Sequence, residues 1–521
     1  MRPLNALGFL TIAACTRAPE PPAPAAQPPA LVVWITVDQL RGDMVDHYRP
    51  LWTGGFRRLM TDGRVYTNAS HDHAITATAP GHASLSTGVH PSRHGIISNA
   101  WYEARGDTWR LMSNVGDSTM TTVGASLPGV SPRNLRSTGL ADWIVAADSA
   151  SIIASVSGKD RGAILPAAHA KGHVYWFEPA GGGFVTSTYY RDNYPEWVTR
   201  FNNDVVPRYM ADTVWSFTAP ASTIVLSSAD TAAHESDGTH TYFPHRFSDF
   251  HQTRDANALR AWMEQTPLAD AATLDFAQTM VSELGLGRDG PVDLLAISLS
   301  QTDAVGHAYG PFSREQLDNL YRLDRRLGAL LEFLDRTVGS GRYIVALSAD
   351  HGVLTPPEDP RAMPGSRRLT VADRQALQDA VARAMASGGG DTPSRIVGEL
   401  KRHPLVADAW TTEQLMRRTP ADSFAVFMRR SLYPGRFAGA FSRQGVEIRL
   451  APGVLGNERT GTTHGSLYWY DRHVPMIFMG PGISAGRIGA RAPTVDFAPT
   501  LARAIGVKYP GDLEGRPMSL R

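Results

Sequence analysis

Leu31-Val32-Val33-Trp34-Ile35-Thr36-Val37-Asp38 is the stretch whose reading decides the fold. Seven almost uninterrupted apolar residues suit a strand covered on both faces, as in a parallel sheet, and the strand ends on a carboxylate. Two further runs repeat the pattern. Leu294–Leu299 is followed by Asp303 and His307, and Tyr343–Leu347 by Asp350-His351. Ser151–Val156 and Val474–Met479 read as additional strands. Between them, Arg314–Val338 carries Leu320, Leu323, Leu327, Leu330 and Leu334 at spacings of three and four, one apolar stripe of a helix. Shorter helices are expected at Phe56–Met60, at Gly81–Ser86 after Pro80, at Asp275–Leu284 and at Thr494–Ile505. Strand and helix alternate, so the expected class is α/β: a central, mostly parallel sheet with right-handed crossovers and helices on both faces. Ligands then collect beyond the carboxyl ends of the strands.

The 521 residues are 42% hydrophobic, enough for a large core. Fifty-one basic residues balance 50 acidic ones, which gives no electrostatic case for nucleic acid. Lysine occurs only four times, at Lys159, Lys171, Lys401 and Lys508, so a lysine beside a motif stands out. The single cysteine, Cys15, excludes an intramolecular disulfide. It closes residues 1–15, where a short positive start and an apolar stretch read as a signal peptide. Ile12-Ala13-Ala14-Cys15 resembles the lipobox of bacterial lipoproteins; an ordinary secretory signal is the other reading. Residues 16–30 are a Pro/Ala tether. The catalytic domain is expected over 31–521, with cap insertions near 160–260 and 354–456. The expected location is periplasmic, with lipid on Cys15 as the only membrane attachment, or else secreted.

Asp38, Asp303, His307, Asp350, His351 and His464 are the candidate metal ligands. Mixed carboxylate and imidazole donors suit zinc, and six are enough for two ions with coordination positions left open. One helical turn puts Asp303 and His307 on the same face. His71, His73, His82, His90 and His94 crowd another region and read as residues behind a site or on the surface. A nucleophile is available in Thr76-Ala77-Thr78-Ala79-Pro80-Gly81-His82, where a hydroxyl at a helix start meets free backbone N–H groups. The residues alone leave Thr76 and Thr78 open, and Thr78 also suits a plain N-cap.

Taken in order, Val37-Asp38-Gln39, Thr78-Ala79-Pro80-Gly81-His82, Gly95-Ile96-Ile97-Ser98-Asn99, Asp303-x-x-x-His307, Ala349-Asp350-His351-Gly352 and Thr463-His464-Gly465 resemble the alkaline phosphatase superfamily. The resemblance is to its bacterial single-threonine branch, related to nucleotide pyrophosphatase/phosphodiesterases, and it covers nearly all of 31–521. It implies an alkaline phosphatase-like sheet and Thr78 as nucleophile, phosphorylated during turnover. It also implies two zinc ions, one on Asp303, His307 and His464, the other on Asp38, Asp350, His351 and the Thr78 oxygen. Asn99 matches the donor to a phosphoryl oxygen. Ser157-Gly158-Lys159-Asp160-Arg161 resembles the Lys-x-Arg element of the monoesterase branch. Two cations there favour a monoester dianion over a diester. The expected substrates are therefore small phosphate monoesters, with a phosphodiesterase on the same metal core as the alternative. No motif bears on oligomeric state.

Overall fold

The computed structural model describes residues 29–417, 421–456 and 459–521. The signal segment with Cys15 and most of the tether lie outside them. Eleven strands form the main sheet. In chain order they are β1 (Leu31–Val37), β2 (Arg64–Ser70), β3 (Gly116–Val123), β4 (Pro128–Val130), β5 (Ile153–Ser157), β6 (His173–Glu178), β7 (Gly183–Ser187), β8 (Asp293–Leu299), β9 (Tyr343–Ser348), β10 (His473–Met479) and β11 (Gly486–Pro493). Their spatial order is β11-β2-β10-β9-β1-β8-β5-β6-β7-β3-β4. The five strands from β9 to β6 run parallel, and antiparallel pairs appear on both sides of them.

β1 shows why the core is two-sided. Leu31, Val33, Ile35 and Val37 enter one apolar cluster, while Val32 and Trp34 enter the other. Each fully covered side chain of this kind stabilises the fold by about 1.5–3 kcal/mol. On the first face lie α3 (Leu268–Leu284) and α5 (Arg314–Leu334), the latter with the leucine stripe read from the sequence. On the other lie α1 (Thr78–Thr87), α2 (Asp160–Ala167) and α6 (Phe497–Ala504). α4 (Gln301–Tyr309) follows β8 directly.

The range 160–260 differs from the expectation. β6 and β7 fall inside the 160–260 range assigned to a cap, yet they extend the central sheet, and Tyr175, Phe177 and Phe184 belong to the main core. In the 354–456 range, expected as a cap insertion, Val406–Thr411 and Val446–Leu450 pair as a two-stranded sheet separate from the main one. Leu377, Ala380, Ile396, Leu400 and Ala409 gather with them in a small apolar cluster. Among the described residues no helix is long and apolar enough to cross a membrane.

Candidate metal centre and nucleophile

Parallel register sets the site. Thr36 of β1 stands opposite Ser298 of β8 and Ser348 of β9, and Ser298 opposite Ser157 of β5. The residues just past these positions therefore emerge together: Asp38, then Asp303 on α4, Asp350-His351, and Lys159 at the cap of α2. His464 comes from a distant loop joined to α4 by backbone. The Thr462 N–H donates to the His307 carbonyl at 2.9 Å. Gly461 allows this approach, because its φ is +66° and a Cβ there would lie 2.2 Å from the His307 carbonyl oxygen.

Ligand atoms of Asp303, His307 and His464 all lie within 4.8 Å of one another, as expected for the first ion. The second tight group is Asp38, Asp303 and His351. Asp303 is thus common to both, whereas the resemblance put Asp350 with Asp38 and His351. Asp350 stands one step back, its Oδ1 3.9 Å from His351 Nε2. The backbone N–H of Gln39 donates to that oxygen at 3.1 Å, and His82 Nδ1 lies 3.1 Å from Oδ2.

The imidazoles share one design. Nδ1–H donates to a carbonyl in each: His307 to Thr462 (2.8 Å), His464 to Thr76 (2.7 Å), His351 to Gly352 (2.9 Å). Every Nε2 lone pair then faces the carboxylates, as in orientation of metal-ligating histidines by an outer hydrogen bond. Asp38 Oδ1, Asp350 Oδ2 and His351 Nε2 are buried without a hydrogen-bond partner. Three buried carboxylates face one lysine, whose Nζ lies 2.5 Å from Asp38 Oδ2 and 2.6 Å from Asp303 Oδ2. Burial, with the charges of Asp303 and Asp350, pushes the Asp38 carboxyl up. Burial works to lower His351, but Asp350 and Asp38 outweigh it and push it up to about 9. Burial also opposes the charge of Lys159, which Asp303 and Asp38 nevertheless hold above the usual lysine range. A pocket with surplus negative charge, orphaned donor atoms and pre-oriented lone pairs fits divalent metal.

Thr78 is the first residue of α1, and Ala77 rather than Thr78 is the N-cap. Thr76 donates its hydroxyl to the Ser466 carbonyl at 2.7 Å, while the Thr78 hydroxyl makes no hydrogen bond among the described residues. α1 lies directly on the loop of Asp350: a Cβ at Gly81 would fall 2.1 Å from the Asp350 carbonyl oxygen. Asn99 accepts the Ala79 N–H through Oδ1 at 2.9 Å, which fixes its amide beside the start of the helix. Lys159 reaches the carboxylates. Arg161 is not brought to them; its nearest acid is Asp160, with Nη1 3.6 Å from Oδ1.

Gln39 is the contributor that sequence reasoning passed over. Besides its contact to Asp350, its side chain donates to Asp303 Oδ1 at 2.7 Å, from a backbone with φ of 65°. A non-glycine residue held there marks strain kept at a functional site. The crowd of histidines is buried, not at the surface. His82 hydrogen-bonds the Thr78 carbonyl and the Ser298 hydroxyl with its ring beside Asp350, and His71 touches the Ala349 carbonyl at 3.0 Å, so these two stand behind the ligands.

Residues 32–460 match the family model described as type I phosphodiesterase / nucleotide pyrophosphatase. The chain is 32% identical over 531 residues to the alkaline phosphatase PafA of Elizabethkingia meningoseptica, covering 94% of each. It is likewise 32% identical over 520 residues to the alkaline phosphatase PhoV of Synechococcus elongatus, covering 94% of this chain and 92% of the relative. The crystal structure of PafA superimposes with a TM-score of 0.85 over 95% of this chain and 99% of that one, at 30% identity. Murine ectonucleotide pyrophosphatase / phosphodiesterase 5, at 14% identity and a TM-score of 0.51, shares the fold. PafA has also been solved as a variant changed at one threonine, one asparagine, one lysine and one arginine. The chain belongs to the type I phosphodiesterase / nucleotide pyrophosphatase family and is an enzyme of its alkaline phosphatase branch.

Proposed function

We propose that the protein is a zinc-dependent alkaline phosphatase that hydrolyses small phosphate monoesters through a phosphothreonine at Thr78 and releases inorganic phosphate. The observation that carries this reading is the pair of ligand groups sharing Asp303, placed at the open end of the sheet beside a helix that begins on an unbonded threonine hydroxyl. Asp303, His307 and His464 would hold one zinc; Asp38, Asp350 and His351 would hold the other, with the Thr78 oxygen. Bound zinc supplies Lewis-acid charge that favours the deprotonated threonine oxygen and neutralises the leaving alkoxide.

The other parts are supplied by the chain. Thr78 gives its proton to solvent and Oγ1 bonds to phosphorus as the bond to the leaving alcohol breaks; the alcohol takes up a proton. Water then attacks phosphorus, the Oγ1–phosphorus bond breaks, and phosphate leaves as the hydroxyl is restored. Asn99 holds a phosphoryl oxygen with its amide N–H. Lys159 and Arg161 pair with the non-bridging oxygens. Asp38 and Asp303, which now pair with Lys159, would then serve the metal, and the Lys159 ammonium would be available for that task. In the substituted PafA, the altered threonine and asparagine are 21 positions apart and the lysine and arginine two apart. Thr78 and Asn99, and Lys159 and Arg161, have the same spacing.

The family description favours a second reading, a phosphodiesterase on the same metal core. We further propose that the enzyme is exported and anchored through lipid on Cys15. Metal dependence is tested by chelation. Aryl phosphatase activity should fall to background on zinc removal and return when zinc is restored. Full activity in metal-free protein would refute the reading.

A further inference from the structure

A second group of acids lies apart from the metal centre. The segment 228–236 is fastened to the end of α4 and the loop after it. Ser228 N–H donates to the Phe312 carbonyl (2.7 Å), Ser236 N–H to the Ala308 carbonyl (2.7 Å), and Gly461 N–H to the His234 carbonyl (2.6 Å). This brings Asp230 and Glu235 against Glu315, in the first turn of α5, and Asp359, in the stretch after β9. Glu235 and Glu315 are 1% and 0% exposed.

Asp230 Oδ1, Glu235 Oε2 and Glu315 Oε2 are each buried without a hydrogen-bond partner. The other contacts are accounted for. Glu315 Oε1 takes His245 Nε2 at 2.8 Å, and Asp230 Oδ2 takes the Phe243 N–H at 3.4 Å. Asp359 accepts from the Arg361 backbone N–H and the Ser228 hydroxyl, and the Arg361 guanidinium lies 3.8 Å from its Oδ1. Arg314 is turned toward Ser227 and Ser228. Among the described residues no cation pairs with Glu235. Burial, then Glu315, Asp230 and Asp359, push its carboxyl up to about 9. Something must neutralise this group, because buried carboxylates without partners are strongly disfavoured.

We propose that Asp230, Glu235 and Glu315, with Asp359 behind them, bind a hard divalent cation of the calcium class. All the donors are oxygens on flexible side chains, which suits calcium rather than zinc. Among the described residues no three of these acids offer oxygens all within 4.8 Å of one another; the ion would draw them in. Its effect would be to clamp segment 228–236 onto α4, the helix that carries Asp303 and His307.

The test uses the full-length, zinc-loaded protein titrated with calcium chloride. Thermal melting is followed, and calcium and zinc are counted separately after gel filtration. One calcium per chain should be retained, and the midpoint should rise by several degrees at millimolar calcium. Glu235→Gln should lose both effects and keep its zinc. Asp230→Asn, at a less buried position, should weaken calcium binding at least ~10-fold and covers the case in which Glu235→Gln does not fold. No retained calcium, a shift that survives in both variants, or an equal shift with magnesium would overturn the proposal. So would melting that ignores calcium but falls as pH rises between about 7 and 9, since a proton on Glu235 would then be the neutralising species.

Discussion

Thr78→Ala is expected to lower kcat/KM for an aryl phosphate monoester by about 10⁴-fold while leaving zinc content nearly unchanged. The magnitude follows from removing the only atom that bonds to phosphorus in the first step. Folding should suffer little. Thr78 is 2% exposed and its hydroxyl has no hydrogen-bond partner, so the change removes a methyl group and an unbonded oxygen at a cost of about 1 kcal/mol. α1 itself is retained, since Ala77 caps it and Asn99 still accepts the Ala79 N–H. Metal analysis beside steady-state kinetics checks both halves. Zinc lost together with activity would mean that Thr78 serves chiefly as a structural ligand.

Asp303→Asn should be nearly as severe for a different reason. Asp303 belongs to both ligand groups, and Gln39, His307, His464 and Lys159 all converge on it. Asparagine keeps the shape and can still accept from Gln39, but it removes a negative charge that belongs to both ligand groups. Bound zinc should drop below two per chain, and turnover should fall by about 10³-fold or more, with the secondary structure seen by circular dichroism unchanged. Two tightly held zinc ions in this variant would show that the Asp303 charge is not needed to hold the metal.

The fold was legible where strands are buried on both faces. β1, β8, β9 and β10 are largely apolar runs and β5 a shorter one broken by serines, and the ends of β1, β5, β8 and β9 announce Asp38, Lys159, Asp303 and Asp350. β11 and β3 were not legible. Gly-Arg-Ile-Gly-Ala-Arg-Ala-Pro (486–493) and the threonine-rich 116–123 lie toward the sheet edges, half in water, where no apolar signal is needed. In the site, residue types and spacing pointed to the ligands but not to their division. Asp303 falls in both ligand groups while Asp350 stands back, a consequence of where the folded strands and helices bring them that leaves no mark in sequence. The left-handed backbone of Gln39 is equally silent, since nothing but the fold forces a glutamine there. The buried acids Glu235 and Glu315 are 80 positions apart, with α3, β8 and α4 between them, and come together only in the fold.

In the proposed function Lys159 and Arg161 turn a metal core shared with diesterases into a monoesterase. The most direct measurement compares kcat/KM for an aryl phosphate monoester with that for the corresponding diester, in the unaltered enzyme and in Lys159→Ala. The account predicts that the monoester is preferred and that Lys159→Ala lowers the monoester reaction by about 10²-fold or more while changing the diester reaction far less. A faster diester reaction, with neither rate altered by Lys159→Ala, would contradict it.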